Sequence, residues 1–283
     1  MRTYAAARAE AIARLREGAD AATAALDADV LLAFALGASK EDVLAHPERT
    51  VPLDDDARFR ALVDRRARGE PVAYLRGWKE FYGLRFLVDP RVLIPRPETE
   101  TLVDEARRAT GGRAATVVDV GTGSGAIACA IAVHEPHVRV IATDVSRAAL
   151  LVAEANAREL GVADRIELRQ GDLLAPVTET VDVVCANLPY LREDALASLA
   201  GERTSLAFEP RVAVVAGPDG LALVRRAIAD VPRVLRPGGV ALFECDPPQA
   251  APIAELGRGA GLGARVIRDL AGSERVVELR ASG

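Results

Sequence analysis

Two short stretches carry residue types that suit chemistry. Gly121-Thr122-Gly123-Ser124-Gly125 follows the apolar run Thr116-Val117-Val118-Asp119-Val120, and Asn187-Leu188-Pro189-Tyr190 follows Val181-Asp182-Val183-Val184-Cys185-Ala186. A side-chain carbonyl at Asn187 beside the backbone carbonyl of Leu188 can accept two N–H bonds from one planar nitrogen. Gripped that way, the nitrogen keeps its lone pair free for in-line attack on a methyl carbon. Tyr190 offers a wall for a planar group. No strong base is required if the proton leaves after the methyl has arrived. Asn, Pro and Tyr in this order also make an ordinary turn; the position after a fourth strand, downstream of a glycine turn, favours the chemical reading.

Three glycines in alternation permit a tight turn that a ligand can approach closely. No Gly-Lys-Ser/Thr is present, which argues against a triphosphate loop, and the dinucleotide fingerprint wants its third glycine one position later, where Ala126 stands. The next strands narrow the choice. Ile141-Ala142-Thr143-Asp144 ends in a carboxylate about twenty residues on, where it can accept the hydroxyls of a ribose. The third strand ends in Gly171-Asp172-Leu173. There Asp172 can take the amino group of an adenine and Leu173 can cover a ring face. Alone, Asp144 also reads as a helix cap and Asp172 as a turn residue. Falling at three consecutive strand ends, they line up for an amino-acid tail, a ribose and a base. That is the layout of an S-adenosylmethionine site, with Asp119, Gly121, Thr122, Gly123, Ser124 and Gly125 at its tail end.

These groups need a scaffold that brings strand ends together. From Thr116 onward, near-continuous apolar strands (TVVDVG, VRVIATD, RIELRQGD, VDVVCAN, GGVALFE) alternate with helical stretches such as GAIACAIAVH and RAALLVAEANAREL. This pattern predicts an α/β domain with a parallel sheet covered on both faces. The tail ARVIRDL…GSERVVELR reads as a final hairpin, for about seven strands with an antiparallel edge. Residues 1–72 read as a small Ala-rich helical bundle, with Gly37 and Gly69 at helix ends and Asp54 and Asp55 opening its last helix after Pro52. Residues 73–97 change texture: five of the eleven aromatics, Tyr74, Trp78, Phe81, Tyr82 and Phe86, lie there among Gly77, Gly83 and Pro90. They predict a β-hairpin linker whose aromatics anchor the two domains, ahead of a catalytic domain over 98–283.

Composition sets limits. Half of the 283 residues are hydrophobic and 27% charged, as in ordinary globular proteins. A net charge of −5 disfavours a direct nucleic-acid partner. No apolar run has membrane-spanning length and the first residues form a charged helix rather than a signal peptide, so a cytoplasmic location is expected and no membrane partner. Cys129, Cys185 and Cys245 are odd in number and far apart, as buried free thiols would be. His134 and His137 flank Pro136 and read as loop residues, so no metal is expected. Glu244, ending GGVALFE, reads as a structural acid, and Arg65, Arg66 and Arg68 as a solvated helix face.

The chain resembles the HemK/PrmC-type protein-(glutamine-N5) methyltransferases over nearly its whole length. The resemblance lies in DADVLLAFALG, EPVAYLRGWKEFYGLRFLVDPRVLIPRPETE, DVGTGSGAIA, ATDVSRAAL, EPRVAVVAGPDGL, LRPGGVALFE and ERVVELR, with PRPETE and GTGSGAIA the most specific blocks. It implies a Rossmann-like class I methyltransferase fold that uses S-adenosylmethionine. The implied acceptor is the Gly-Gly-Gln glutamine of a peptide-chain release factor, docked by the helical domain and clamped partly by the loop after Tyr190. It implies that Gly121 through Gly125 and Asp144 hold the cofactor and that Leu173 stands where relatives often place an aromatic beside adenine. Asn187 through Tyr190 match the family's Asn-Pro-Pro-Tyr, and Leu93 and Arg96 fall in the segment bordering the reactive pocket. Leu188 replaces the first proline of that motif, and Asn-Leu-Pro-Tyr is also the spelling of rRNA adenine dimethyltransferases. LREDALASLAGERTSLAFEP departs from the family's usual spacing, and Cys245-Asp246 stands where relatives often have Ile-Gly. Three alternatives therefore stay open: adenine-N6 methylation of RNA or DNA, a different glutamine-bearing target such as a ribosomal protein, and a non-catalytic cofactor-binding protein.

Overall fold

The computed structural model describes residues 1–18, 21–194 and 205–283. They group into two compact units, one holding residues 1–18, 21–78 and 205–209, the other residues 79–194 and 210–283.

The first unit is helical: α1 (Tyr4–Arg16), α2 (Ala24–Leu36), α3 (Lys40–Ala45), α4 (Leu53–Ala67) and α5 (Val72–Arg76). Thr3 and Ser39 cap α1 and α3 with their side-chain oxygens, and Gly37 closes α2 in the left-handed conformation. Asp54, Asp55 and Asp56 fill the first turn of α4, where the helix dipole favours acids. Small faces (Ala7, Ala11, Ala28) against Leu31, Leu32 and Phe59 form its core. Arg66 corrects the reading of its neighbours as a solvated face. It is buried on the core side of α4 with Phe59, Leu62 and Val63, and its Nε donates to Asp27 at 2.8 Å. Burial of that charge is matched by a buried carboxylate. The expected hairpin over 73–97 is also shorter than the sequence suggests: α5 occupies its start, and strands cover only β1 (Trp78–Phe81) and β2 (Leu84–Leu87). Tyr82 and Gly83 join them with φ of 53° and 71°, a two-residue turn of the twist that hairpins favour.

The second unit is a seven-stranded sheet in the order β5-β4-β3-β6-β7-β9-β8. Its strands are β3 (Ala115–Val120), β4 (Val138–Asp144), β5 (Ile166–Gln170), β6 (Val181–Ala186), β7 (Leu235–Glu244), β8 (Gly263–Arg268) and β9 (Glu274–Arg280). The first five run parallel, while β9 lies antiparallel between β7 and β8. Alternate residues face opposite layers: Val117, Val140, Val183 and Leu242 join one core, and Val118, Ile141, Val184 and Phe243 the other. Two buried faces explain the unbroken apolar strands. Phe81 and Phe86 pack 6.0 Å apart in the first of these cores and so anchor the hairpin to its own sheet. Helices α7 (Ala126–His134) and α8 (Arg147–Glu159) connect and cover the early strands, and α6 (Glu100–Thr110), ahead of β3, packs over β6 and β7. The three thiols are buried and unpaired, and burial pushes those of Cys129 and Cys245 up to about 12. No helix among the described residues is long and apolar enough to cross a membrane.

Candidate active site

Strand order reverses between β3 and β6, because the chain proceeds from β3 to β4 and β5 on one side and to β6 and β7 on the other. A parallel sheet opens a crevice at such a point. Val120 pairs with Ala186, so the residues that follow, Gly121 and Asn187, leave adjacent strands side by side. A cavity of about 290 Å³ lies across these strand ends.

The turn after β3 is built from backbone bonds. Gly121 N and Thr122 N both donate to Thr143 O at 2.9 Å, and Gly125 N donates to Thr122 O at 2.8 Å. Gly121, Gly123 and Gly125 have φ of 72°, 56° and 79°. A Cβ at Gly121 would stand 3.2 Å from Leu188 Cδ2, and one at Gly125 would stand 3.1 Å from the backbone of Ala153 on α8. The two positions thus need glycine for different reasons: approach to the motif after β6, and packing of the turn on α8. Asp119 is fully buried beneath the turn, accepting from Thr122 Oγ1 at 2.6 Å and Ala128 N at 3.2 Å. Burial raises its carboxyl to about 6 against those bonds.

Asp144 ends β4 on the cavity wall. Its Oδ2 accepts from Gly123 N at 2.9 Å and its Oδ1 from Ser146 N at 2.8 Å. Of the roughly four acceptor sites a carboxylate has, about two remain for a ligand. Burial raises its pKa and the two amides oppose that shift. Asp172 is exposed and its carboxylate pairs with Arg226 at the cavity margin. Leu173 lines the cavity with φ of 49°, a conformation costly for a residue with a branched side chain. Thr143 holds it there, its Oγ1 donating to Leu173 O at 2.9 Å.

After β6, the Asn187 side chain donates from Nδ2 to Thr99 Oγ1 at 3.0 Å, while Leu188 is buried against the sheet and Pro189 lines the cavity. The backbone beyond is pinned. Leu191 N donates to Val214 O at 3.0 Å, Ala216 N donates to Leu191 O at 2.9 Å, and Gln249 Nε2 donates to Tyr190 O at 3.4 Å. Burial is the main cause of the raised pKa of the Tyr190 phenol, followed by the charges of Glu244 and Glu98.

Of the residues singled out from sequence, Leu93, Gly121, Gly123, Asp144, Asp172, Leu173, Asn187, Leu188 and Pro189 meet on this one cavity. Asp119, Thr122 and Ser124 are buried beneath it, and Gly125 packs against α8. Tyr190 and Arg96 stand off the cavity lining, Arg96 close enough for its charge to act on the Tyr190 phenol. Of the loop after Tyr190 expected to clamp a substrate, residues 195–204 lie outside the described residues. Sequence reasoning missed the apolar wall of Val145, Ala149, Val212 and Leu223, and it missed Asn156. Buried on α8, Asn156 accepts from Leu87 N at 2.7 Å and donates to Leu87 O at 3.0 Å and Ser124 O at 2.8 Å. It ties the hairpin to the glycine turn. An Asn inside an Ala-rich helix (LLVAEANAREL) was the available signal.

A side-chain-free turn, an acid with spare acceptor sites and apolar plates suit a nucleoside carrying a polar tail. The same fold is found in solved structures. A methyltransferase from Pyrococcus furiosus aligns with a TM-score of 0.53 at 18% identity, over 71% of this chain and 90% of that one. The hMettl16 catalytic domain aligns with a TM-score of 0.58 at 18% identity, over 81% of each. Sheet order, glycine turn and cavity together define a class I methyltransferase. Family models for the PrmC N-terminal domain and the methyltransferase small domain match residues 6–77 and 98–204. The release factor glutamine methyltransferase of Moorella thermoacetica is 41% identical over 270 residues, 94% of both chains, and that of Bordetella pertussis is 43% identical over 265 residues, 91% of this chain and 95% of the relative. The chain belongs to the release factor glutamine methyltransferase family.

Proposed function

We propose that this protein transfers a methyl group from S-adenosylmethionine to the side-chain amide nitrogen of a glutamine, that of the Gly-Gly-Gln motif in a peptide-chain release factor. The observation that carries the reading is the placement of Asn187 beside Gly121 on one cavity, with an acid from the next strand end on the same wall. Family membership supplies the acceptor.

In this reading Gly121 and Gly123 let the cofactor's amino-acid tail approach the backbone, which Asp119, Thr122, Ser124 and Gly125 shape from below. Asp144 takes the ribose hydroxyls on its spare acceptor sites, Asp172 the adenine amino group, and Leu173 covers the ring. When bound, S-adenosylmethionine supplies an electrophilic methyl on a sulfonium. Asn187 Oδ1 and Leu188 O accept the two N–H bonds of the glutamine amide, fixing its plane and excluding water from it. The proton leaves the nitrogen after methylation. Tyr190, Leu93 and Arg96 bound the glutamine's path. The helical unit docks the release factor, and no nucleic acid or membrane takes part. The buried, unpaired thiols support a cytoplasmic setting, where translation factors work.

Purified release factors incubated with enzyme and labelled cofactor, then mapped by mass spectrometry, test this. One added methyl on the Gly-Gly-Gln glutamine is expected. Label entering RNA instead, or no label in any release factor, would overturn the assignment.

A further inference from the structure

An asparagine amide has two nearly isosteric ends, one that accepts and one that donates. A glutamine amide nitrogen brings donors, so only the acceptor end of Asn187 can hold it. The opposite rotamer sets N–H against N–H. Something behind Asn187 must therefore decide which end faces the cavity.

We propose that Thr99 and Glu244 are positioning residues that set the polarity of the Asn187 amide through a relay of two hydrogen bonds. Asn187 Nδ2 donates to Thr99 Oγ1 at 3.0 Å. A hydroxyl has one proton to give. Thr99 gives its proton to the Glu244 carboxylate, which leaves the oxygen as an acceptor toward Asn187. The three groups come from separate elements. Thr99 lies in the 97–99 turn ahead of α6, Asn187 follows β6, and Glu244 ends β7 on the adjacent strand, where Ala186 pairs with Phe243. Thr99 and Glu244 are both buried, and Glu244 Oε2 has no hydrogen-bond partner among the described residues. A buried acid with one oxygen unmet is costly unless the group has a task. Its other oxygen accepts the hydrogen bond from Thr99.

The relay has a direction, and it reverses when Glu244 takes up a proton. A neutral Glu244 donates to Thr99 Oγ1, and Thr99 then donates to Asn187. With the Thr99 proton released from Glu244, its oxygen no longer fixes Nδ2 alone, and the amide is no longer held with Oδ1 toward the cavity. Glu244 is held near this change. Burial raises its carboxyl to about 7; Thr99 and Arg275 on β9 oppose the shift, and Glu98 adds to it. The Tyr190 phenol and Asp246 share the same surroundings. The productive polarity belongs to the ionised acid, so turnover is retained above this range and falls as pH drops through it.

The inference rests on the reading that Asn187 receives a substrate amide. Steady-state methylation of a release factor and cofactor affinity by calorimetry are measured for the full-length enzyme and for Thr99→Val, Thr99→Ser and Glu244→Gln. Thr99→Val should lower kcat roughly 10- to 100-fold, the scale of one buried partner left unmet, with cofactor affinity within about twofold. Thr99→Ser should recover it to within about threefold, because the hydroxyl is what matters. Glu244→Gln still accepts from Thr99 but cannot titrate, so its acid limb should vanish. The side-chain amide signals of Asn187 in wild-type protein should titrate with Glu244 and stay flat in Glu244→Gln, a readout that needs neither substrate nor a destabilising variant. Unchanged kcat in a folded Thr99→Val, an acid limb surviving in Glu244→Gln, or flat Asn187 signals in the wild type would overturn the relay. Failure of the wild type to methylate a release factor would instead remove the substrate reading, and the amide titration would still decide the polarity.

Discussion

The cavity has two halves that are held by different means. The turn after β3 is fastened by main-chain bonds to Thr143 O and by a carboxylate, Asp144, that accepts two amides. The motif after β6 is fastened through side chains, Asn187 to Thr99 and Thr99 to Glu244. The main-chain half depends on conformations that glycine permits and has one state. The side-chain half depends on where one proton sits and has two. A site that must bind a constant cofactor and recognise an amide by its polarity benefits from that division.

Breaking the recognition half alone gives the largest effect. Asn187→Ala should reduce kcat by about 10²- to 10³-fold, the scale for loss of one positioned hydrogen-bonding group, while calorimetry finds cofactor affinity nearly unchanged. Retention of the wild-type rate would merge the two halves. Asn156→Ala attacks the other half. It leaves Leu87 N, Leu87 O and Ser124 O without their buried partner, and urea unfolding should show a loss of about 3 kcal/mol with weaker cofactor binding.

Glu244→Gln sharpens the contrast by separating stability from rate. An acid whose folded pKa stands at about 7, above its ordinary 4.5, binds its proton more tightly in the folded state. That contribution is complete at low pH and is lost as pH rises from the ordinary value through 7. The glutamine variant should therefore unfold later than wild type above this range, by about 3 kcal/mol, and show no such advantage below it. Arg226→Ala is the smallest change. The exposed pair with Asp172 should leave stability within about 0.5 kcal/mol of wild type. A gain in cofactor affinity would show that the freed carboxylate is used for the base.

What could be seen in the sequence was local. The glycine turn, the acids at strand ends and the apolar strands are short local patterns, and Gly121, Gly123, Asp144 and Asp172 from them meet on one cavity. What could not be seen was long-range. Thr99 and Asn187 are 88 residues apart, Leu87 and Asn156 are 69 apart, and neither pair leaves a spacing to read. Thr143 leaves no signal of its own beside Asp144, whose carboxylate has the more conspicuous chemistry. Helix α5 is hidden in the hairpin pattern because its aromatic Tyr74 and the following Gly77 resemble strand punctuation.

The position of β9 between β7 and β8 has a consequence for biosynthesis. Glu244 pairs with Val276, so the strand beside this acid is translated some thirty residues after it. Without β9, β7 would present an open edge and Glu244 would lose the strand that pairs beside it. A chain interrupted before Glu274 would lack that cover while still carrying the glycine turn and Asn187. The strand made last thus supplies the surroundings that hold this acid above its ordinary range, and a chain without it would carry Glu244 with an ordinary carboxyl on an unpaired edge.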